Sequence, residues 1–298
     1  MQTLDRPVLI TGANRSGKSL VMHIISASPE FQRCVEPMMW WNIGMRDLRD
    51  DARDVEEATE EVRAEIVAKL AKFLANSGKT RYCDDLAHHM LRIRFVLRVL
   101  PNVRIVLVTR DPRDNIPEIM HGWTFKQSTT TALRNSYKTR RKSIDLRTLP
   151  RLAWRALRNQ FASQLRGKRE SWGAMTPGLK EFAATHSVAE VAALQWQGLY
   201  ETALRDLDRL PELPWMQVRY EDLVSRPAEE ARRLAEFCEV EDVDLVVAYA
   251  EATIDPHRRG DRKDPSEEEW AAIWPRIEPT AKRLGYAAGP THDARKAP

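Results

Sequence analysis

Cysteine is scarce in this sequence and unpaired. The 298 residues hold three, Cys34, Cys83 and Cys238, with no C-x-x-C spacing between any two. That excludes a disulfide framework and a thiolate zinc site, and leaves reduced core residues. Long apolar runs are missing too. No stretch approaches the roughly 18 residues that a membrane span requires, and the opening MQTLDRPVLITG enters a strand without the apolar core of a leader peptide. A cytoplasmic protein is expected. Repeats and low-complexity linkers are also absent, so one α/β domain spanning residues 1–298 is expected. With 43% hydrophobic and 30% charged residues, the chain is not composed like a disordered one.

Charge is present but unevenly spread. The net charge is +4, yet the segment after Thr124 through Glu170 carries thirteen Lys/Arg against two acids, Asp145 and Glu170. A +11 segment therefore sits on a −7 remainder. Within it, RLAWRALRNQFASQLRGKR places Trp154, Leu157, Phe161 and Leu165 on one helical stripe, flanked by Arg151, Arg155, Arg158 and Arg166. This predicts a basic helical insert over 124–175. Two readings stay open: a stripe packed on the domain with its arginines in water, or an element that meets an amphiphilic acceptor or an anionic membrane surface. The pI near 9.0 permits nucleic acid, but no recognition module is visible and none is expected to bind.

Elsewhere short apolar runs alternate with helical patterns. Val8–Thr11 reads as a buried strand and Leu20–Ile25 as the apolar face of the next helix. Val55–Leu74 has helical spacing and Gly78 reads as its stop. KTRYCDD reads as a short strand, MLRIRFVLRVLPN as a helix and VRIVLVTRD as a buried strand. Val191–Leu210 reads as a long helix, WMQVRYEDL as a strand entering a turn, and RPAEEARRLAEFCEV as a helix with Pro and acids in its first turn. A loop and helix are expected over 255–298. The alternation predicts a three-layer domain with a central parallel sheet.

Between the first strand and helix stands a complete G-x-x-x-x-G-K-S, Gly12 to Ser19. In such a loop, backbone N–H groups and a helix N-terminus converge on an oxyanion, the lysine adds charge and the serine a hydroxyl. A phosphate-type ligand follows, with Gly12, Arg15, Ser16, Gly17, Lys18 and Ser19 as its cradle. The reaction does not. A Mg²⁺-dependent small-molecule kinase would add a carboxylate at a strand end, for which Asp111 is available. A nucleotide-binding protein without turnover would need nothing more.

At RSGKSL, EP (Glu36, Pro37), KT (Lys79, Thr80), VLVTRDPRD and VRYEDLVSRP the chain resembles the sulfotransferases that use 3′-phosphoadenosine 5′-phosphosulfate. The pieces occur in family order from about Val8 to Cys238. The resemblance implies a P-loop-type α/β fold, this donor as co-substrate, and no metal. It implies sulfuryl transfer to a hydroxyl or amine of a carbohydrate, glycolipid or other small molecule. It places Arg15, Gly17, Lys18 and Ser19 on the phosphosulfate and Arg110 on the 3′-phosphate, a task suited to a guanidinium fork. Arg258, Arg259 and Gly260, in HRRG, resemble the loop that closes on the same phosphate; a solvated charged turn is the other reading. Eight residues after Arg110 the family has Ser where this chain has Glu118. Either Glu118 points away, Arg113 neutralises it, or the nucleotide differs.

Some family members use a His two residues after a Lys, but here Arg81 stands there and arginine is no base. Another branch uses a Glu at the spacing of Glu36, which therefore becomes the expected base; burial near Met38, Met39 and Trp40 would raise its pKa. The alternative is a carboxylate capping a turn. Lys79 resembles the family lysine that touches the bridging oxygen or the acceptor, with Lys18 and Arg15 sharing that work. His88 and His89, at a helix start, are expected to be packed or solvated.

Overall fold

The computed structural model describes residues 4–35, 37–45, 47, 49–124, 171–255 and 263–286. Its centre is a sheet of β1 (Val8–Thr11), β2 (Phe31–Cys34), β3 (Arg81–Asp84), β4 (Arg104–Thr109) and β5 (Trp215–Arg219). The order is β2-β3-β1-β4-β5 and every pairing is parallel. All residues of β1 and β3 are buried, and five of six in β4. That is why β1 and β4 read as apolar runs, whereas β3, Arg-Tyr-Cys-Asp, buries two charged side chains.

Because successive side chains point to opposite faces, the strands feed two separate cores. Leu9, Tyr82, Ile105 and Leu107 enter one. It is covered by α3 (Glu60–Ala75), α4 (Ile93–Val99), α5 (Pro112–Thr124), α6 (Leu179–Thr185), α7 (Val188–Asp208) and α11 (Glu267–Arg283). Val8, Ile10, Cys83, Val106, Val108 and Val218 enter the other. There α1 (Lys18–Ile25), α9 (Pro227–Phe237) and α10 (Val243–Thr253) lie. Two short helices complete the frame, α2 (Met38–Trp41) before α3 and α8 (Tyr220–Ser225) between β5 and α9. Three layers around a parallel sheet result, as expected. Cys34, Cys83 and Cys238 are free and buried.

Two expected elements differ in detail. The Val55–Leu74 helix is split: a 3₁₀ turn over Val55–Glu57 is closed by reciprocal Asp54 and Glu57 caps, and Thr59 starts α3 afresh by accepting from the Val62 N–H. Side-chain caps at Asp54 and Thr59 outcompete the continuous apolar spacing. The helix expected over MLRIRFVLRVLPN is confined to Ile93–Val99, behind a 3₁₀ turn over Ala87–Leu91. In the C-terminal segment 255–298, α11 begins at a Ser266/Glu269 capping box. Of the basic insert, residues 125–170 lie outside the described residues.

Its two attachment points are well defined. Gln195, fully buried on α7, accepts from Trp123 Nε1 at 2.9 Å near the end of α5. Its amide donates to the carbonyls of Trp172 (2.9 Å) and Ala174 (2.7 Å), where the chain returns. A Cβ on Gly122 would lie 2.1 Å from the Trp172 ring, so the exit and the re-entry touch.

Candidate active site

In a parallel sheet the loops that bind ligands lie beyond the carboxyl ends of the strands, and Gly12–Gly17 leaves β1 at that edge. The loop is held against its neighbours at backbone distance. A Cβ on Gly12 would sit 2.3 Å from the Val108 carbonyl oxygen, and one on Gly17 2.5 Å from the Tyr220 ring. Both glycines have positive φ, 155° and 100°. Arg15 adopts the left-handed region too, at φ 66°, without being glycine. Strain of this kind, of order 1–3 kcal/mol, persists where the surroundings over-determine it, commonly at ligand clamps.

The supports of the loop come from distant elements. Tyr200, buried on α7, donates from its hydroxyl to the Val108 carbonyl at 2.9 Å and accepts from the Ala13 N–H at 3.4 Å. Asn115 on α5 donates to the Asn14 carbonyl at 2.9 Å, and the Asn14 side chain accepts from the Ala174 N–H at 3.2 Å. Gly17 then caps α1 without any side-chain hydrogen bond, which leaves the helix N-terminus facing the loop.

Lys18 is the cation beneath this cradle. Its Nζ donates to the Ala13 carbonyl at 3.3 Å. Burial lowers its pKa to about 8, with Asp85 opposing the shift and Arg15 adding to it. Burial outweighs the nearby Asp85 charge, so an anion in the loop would favour the protonated amine further. Ser16 is fully buried under the loop, whereas Arg15 and Ser19 are exposed. The Ser19 hydroxyl donates to Asp85, just beyond β3. Nothing in the local sequence marks this contact, which spans 66 positions.

Arg110 follows β4 and leans across the same edge. Its Nη1 donates to the Arg15 carbonyl at 3.1 Å, and its guanidinium lies 4.6 Å from the centre of the Tyr220 ring. Its buried Nε has no hydrogen-bond partner among the described residues. Behind it, Glu221 accepts from the Asp111 N–H at 2.8 Å and the Tyr286 hydroxyl at 2.9 Å.

Several sequence expectations meet a different arrangement. Lys79 does not join the loop. It precedes β3, its Nζ donates to the Phe31 carbonyl at 2.9 Å, and the four residues of β3, about 13 Å of rise, separate it from the ligand edge. Arg113 does not face Glu118: it grips Asp111, with Nε at 2.8 and 2.9 Å from the two carboxylate oxygens. The same fork occupies Asp111, the carboxylate considered for a kinase metal. Glu118 is half-buried on α5. Glu36, Arg258, Arg259 and Gly260 lie outside the described residues. His89 is packed, as expected, with Nε2 2.8 Å from Asp84.

That Asp84 is fully buried and saturated. Besides His89, it accepts from Trp41 Nε1 at 3.0 Å and the Tyr82 hydroxyl at 2.8 Å. This network stiffens the end of β3, immediately before the Asp85 that reaches Ser19.

Comparison with known proteins supplies the family. The profile described as "Sulfotransferase family" matches residues 7–162 and 155–244. The chain belongs to the sulfotransferase family. No curated protein matches this sulfotransferase-family sequence. Among solved structures, it is similar to a sulfotransferase from Alicyclobacillus acidocaldarius at 14% identity, covering 94% of this chain and 95% of that one, with a TM-score of 0.48. Sulfotransferase STF9 from Mycobacterium avium gives 12%, 95%, 77% and 0.49. The sulfotransferase domain from the curacin biosynthetic pathway gives 15%, 90%, 83% and 0.47. Family membership rests on the profile, and the fold on the sheet order described above. Among the described residues no helix is long and apolar enough to cross a membrane.

Proposed function

We propose that this sulfotransferase-family protein transfers a sulfuryl group from 3′-phosphoadenosine 5′-phosphosulfate to a hydroxyl or amine of a small molecule or glycolipid. The observation that carries the reading is the pairing of two features at one sheet edge. An uncapped helix N-terminus stands over buried Lys18, and Arg110 presents a partly unsatisfied guanidinium beside it. The first suits the 5′-phosphosulfate and the second the 3′-phosphate.

In the proposed reaction the acceptor oxygen or nitrogen forms a bond to sulfur as the bond from sulfur to the bridging oxygen breaks. The electron pair of the broken bond stays on the 5′-phosphate. Lys18 and Arg15 face that growing charge, which is where fixed cations lower a barrier most. Glu36 takes the acceptor's proton. Lys79, at the far end of β3, has no part in it. The segment 125–170 recruits the acceptor, through an anionic surface where the acceptor is a glycolipid.

The test is calorimetric titration of the protein with 3′-phosphoadenosine 5′-phosphate in EDTA, followed by mass spectrometry of sulfated products from an acceptor panel. Saturable binding of the bisphosphate without metal, and a product 80 Da heavier by sulfation, are expected. Absence of bisphosphate binding would overturn the reading.

A further inference from the structure

The chain comes back to the neighbourhood of Arg110 from far along the sequence. α11 stops in a left-handed turn: Gly285 has φ 88°, its N–H donates to the Lys282 carbonyl at 3.0 Å, and the Tyr286 N–H donates to the Ala281 carbonyl at 2.9 Å. Such a glycine-terminated end fixes the residue that follows it, and here it delivers the buried Tyr286 to the ends of β4 and β5. The Tyr286 ring lies 4.7 Å from the guanidinium of Arg219, the last residue of β5. Its hydroxyl is 3.2 Å from that of Thr109, the last residue of β4, and 2.9 Å from Glu221 in the first turn of α8. Gln217 ties the same corner again, donating to Thr109 Oγ1 and to the Leu284 carbonyl, both at 3.0 Å.

Glu221 is the link from this corner to Arg110. An ionised carboxylate only accepts, so the phenol proton of Tyr286 goes to one Glu221 oxygen. The other oxygen accepts at 2.8 Å from the Asp111 N–H, the amide that immediately follows Arg110. The residue before Glu221 is Tyr220, whose ring centre lies 4.6 Å from the Arg110 guanidinium. Arg110 is therefore held twice by the start of α8, through its backbone and through the ring on which its fork rests. A guanidinium meets a phosphate through parallel N–H bonds, which demand a fixed plane. We propose that Tyr286, acting through Glu221, is a positioning residue for Arg110 and sets the plane in which that fork meets the 3′-phosphate. The inference rests on the nucleotide reading given above. It makes the end of α11 part of the support for the 3′-phosphate half of the site, and assigns it no contact with the 5′ half, which Tyr200 and Asn115 hold up from α7 and α5.

The experiment titrates the full chain, in EDTA, with 3′-phosphoadenosine 5′-phosphate and with adenosine 5′-phosphate. Tyr286→Phe removes one hydroxyl and keeps the ring; it should weaken the bisphosphate by about tenfold and leave the monophosphate unchanged. In an Arg110→Ala background the same substitution should cost nothing further, because the residue it acts through is gone. A tyrosine that merely stabilised the fold would weaken both nucleotides alike, or would add its loss to that of Arg110→Ala. Glu221→Ala should give the same selective loss, and stands in should Tyr286→Phe lack the wild-type circular dichroism spectrum. Hydrogen exchange at the Asp111 N–H needs no ligand and should be faster in Tyr286→Phe than in the wild type. Equal losses for the two nucleotides, additive losses in the double variant, or unchanged exchange at Asp111 overturns the proposal. Absence of bisphosphate binding by the wild type overturns the nucleotide reading instead, and exchange at Asp111 then decides by itself whether Tyr286 holds the Arg110 turn.

Discussion

On the proposed reading, Lys18 couples donor binding to a proton. A lysine amine ordinarily titrates near 10.5, and burial brings this one to about 8. At about 1.4 kcal/mol per pH unit, the buried charge disfavours the protonated form by about 3 kcal/mol in the unliganded protein. A bound phosphosulfate or phosphate offsets that burial and restores the proton. Below pH 8 the amine is charged with and without ligand, and affinity is flat. Above about 8 the free protein has lost the proton that the complex requires, so affinity for 3′-phosphoadenosine 5′-phosphate should fall by about tenfold per pH unit. The ligand's own phosphates do not contribute, because their second ionisation lies near pH 6. Titrations from pH 7 to 9.5, in buffers of differing ionisation heat, measure both the slope and the proton taken up. Lys18→Gln should bind weakly and without the slope. An identical slope in the variant, or no proton uptake by the wild type at pH 8.5, would refute the reasoning. Stability has the opposite sign. Between about 8 and 10.5 the unfolded chain holds the lysine proton and the folded chain does not, so the unliganded protein gains up to about 3 kcal/mol as pH rises through that window. Lys18→Met should remove the gain in denaturant melts.

Four further outcomes are expected. Arg110→Ala should weaken the bisphosphate by about 1.5–3 kcal/mol, the range for hydrogen bonds to charged groups, while barely affecting adenosine 5′-phosphate; Arg110→Lys should not restore binding, since a point charge replaces a fork stacked on Tyr220. Glu36→Gln should leave bisphosphate affinity in place and lower turnover by about a hundredfold, measured by product mass. Asp84→Ala strips the partner from Trp41 Nε1, the Tyr82 hydroxyl and His89 in a fully buried pocket, and should cost about 3–5 kcal/mol in urea unfolding. Replacing Arg151, Arg155 and Arg158 together by Gln should reduce salt-sensitive flotation with anionic vesicles and leave nucleotide affinity intact, each arginine near the surface contributing about 1 kcal/mol.

What the sequence conveyed follows from how local each feature is. The phosphate loop is contiguous: the glycines that must adopt positive φ, the lysine and the strand before them lie within a dozen residues, so spacing alone reveals them. The buried strands β1 and β4 announce themselves as apolar runs. The edge strand β2 escaped notice because only Phe31 and Cys34 of its four residues are buried. Lys79 was placed by motif order, which does not tell one end of a strand from the other; its pairing with the Phe31 carbonyl does. Asp85 was invisible for a different reason. Its contact with Ser19 exists only once β3 has paired with β1.

The clamp formed by Gln195 bears on how such a protein can change. Trp123 and Trp172 are tied to one buried amide, and Ala174 is tied both to it and to the Asn14 side chain of the loop. The 46 residues from 125 to 170 therefore depart from and return to fixed ports, one of which is tied to the Gly12–Gly17 loop through Asn14. Closing a chain between fixed ends depends only weakly on its length, about 0.6 kcal/mol for each doubling. The segment is thus an exchangeable cassette: a longer, shorter or differently charged one can be grafted between Thr124 and Ser171 while the ports stay intact. On the proposed reading, in which this segment recruits the acceptor, substrate range diverges by replacement of that cassette while the Gly12–Gly17 loop is inherited unchanged.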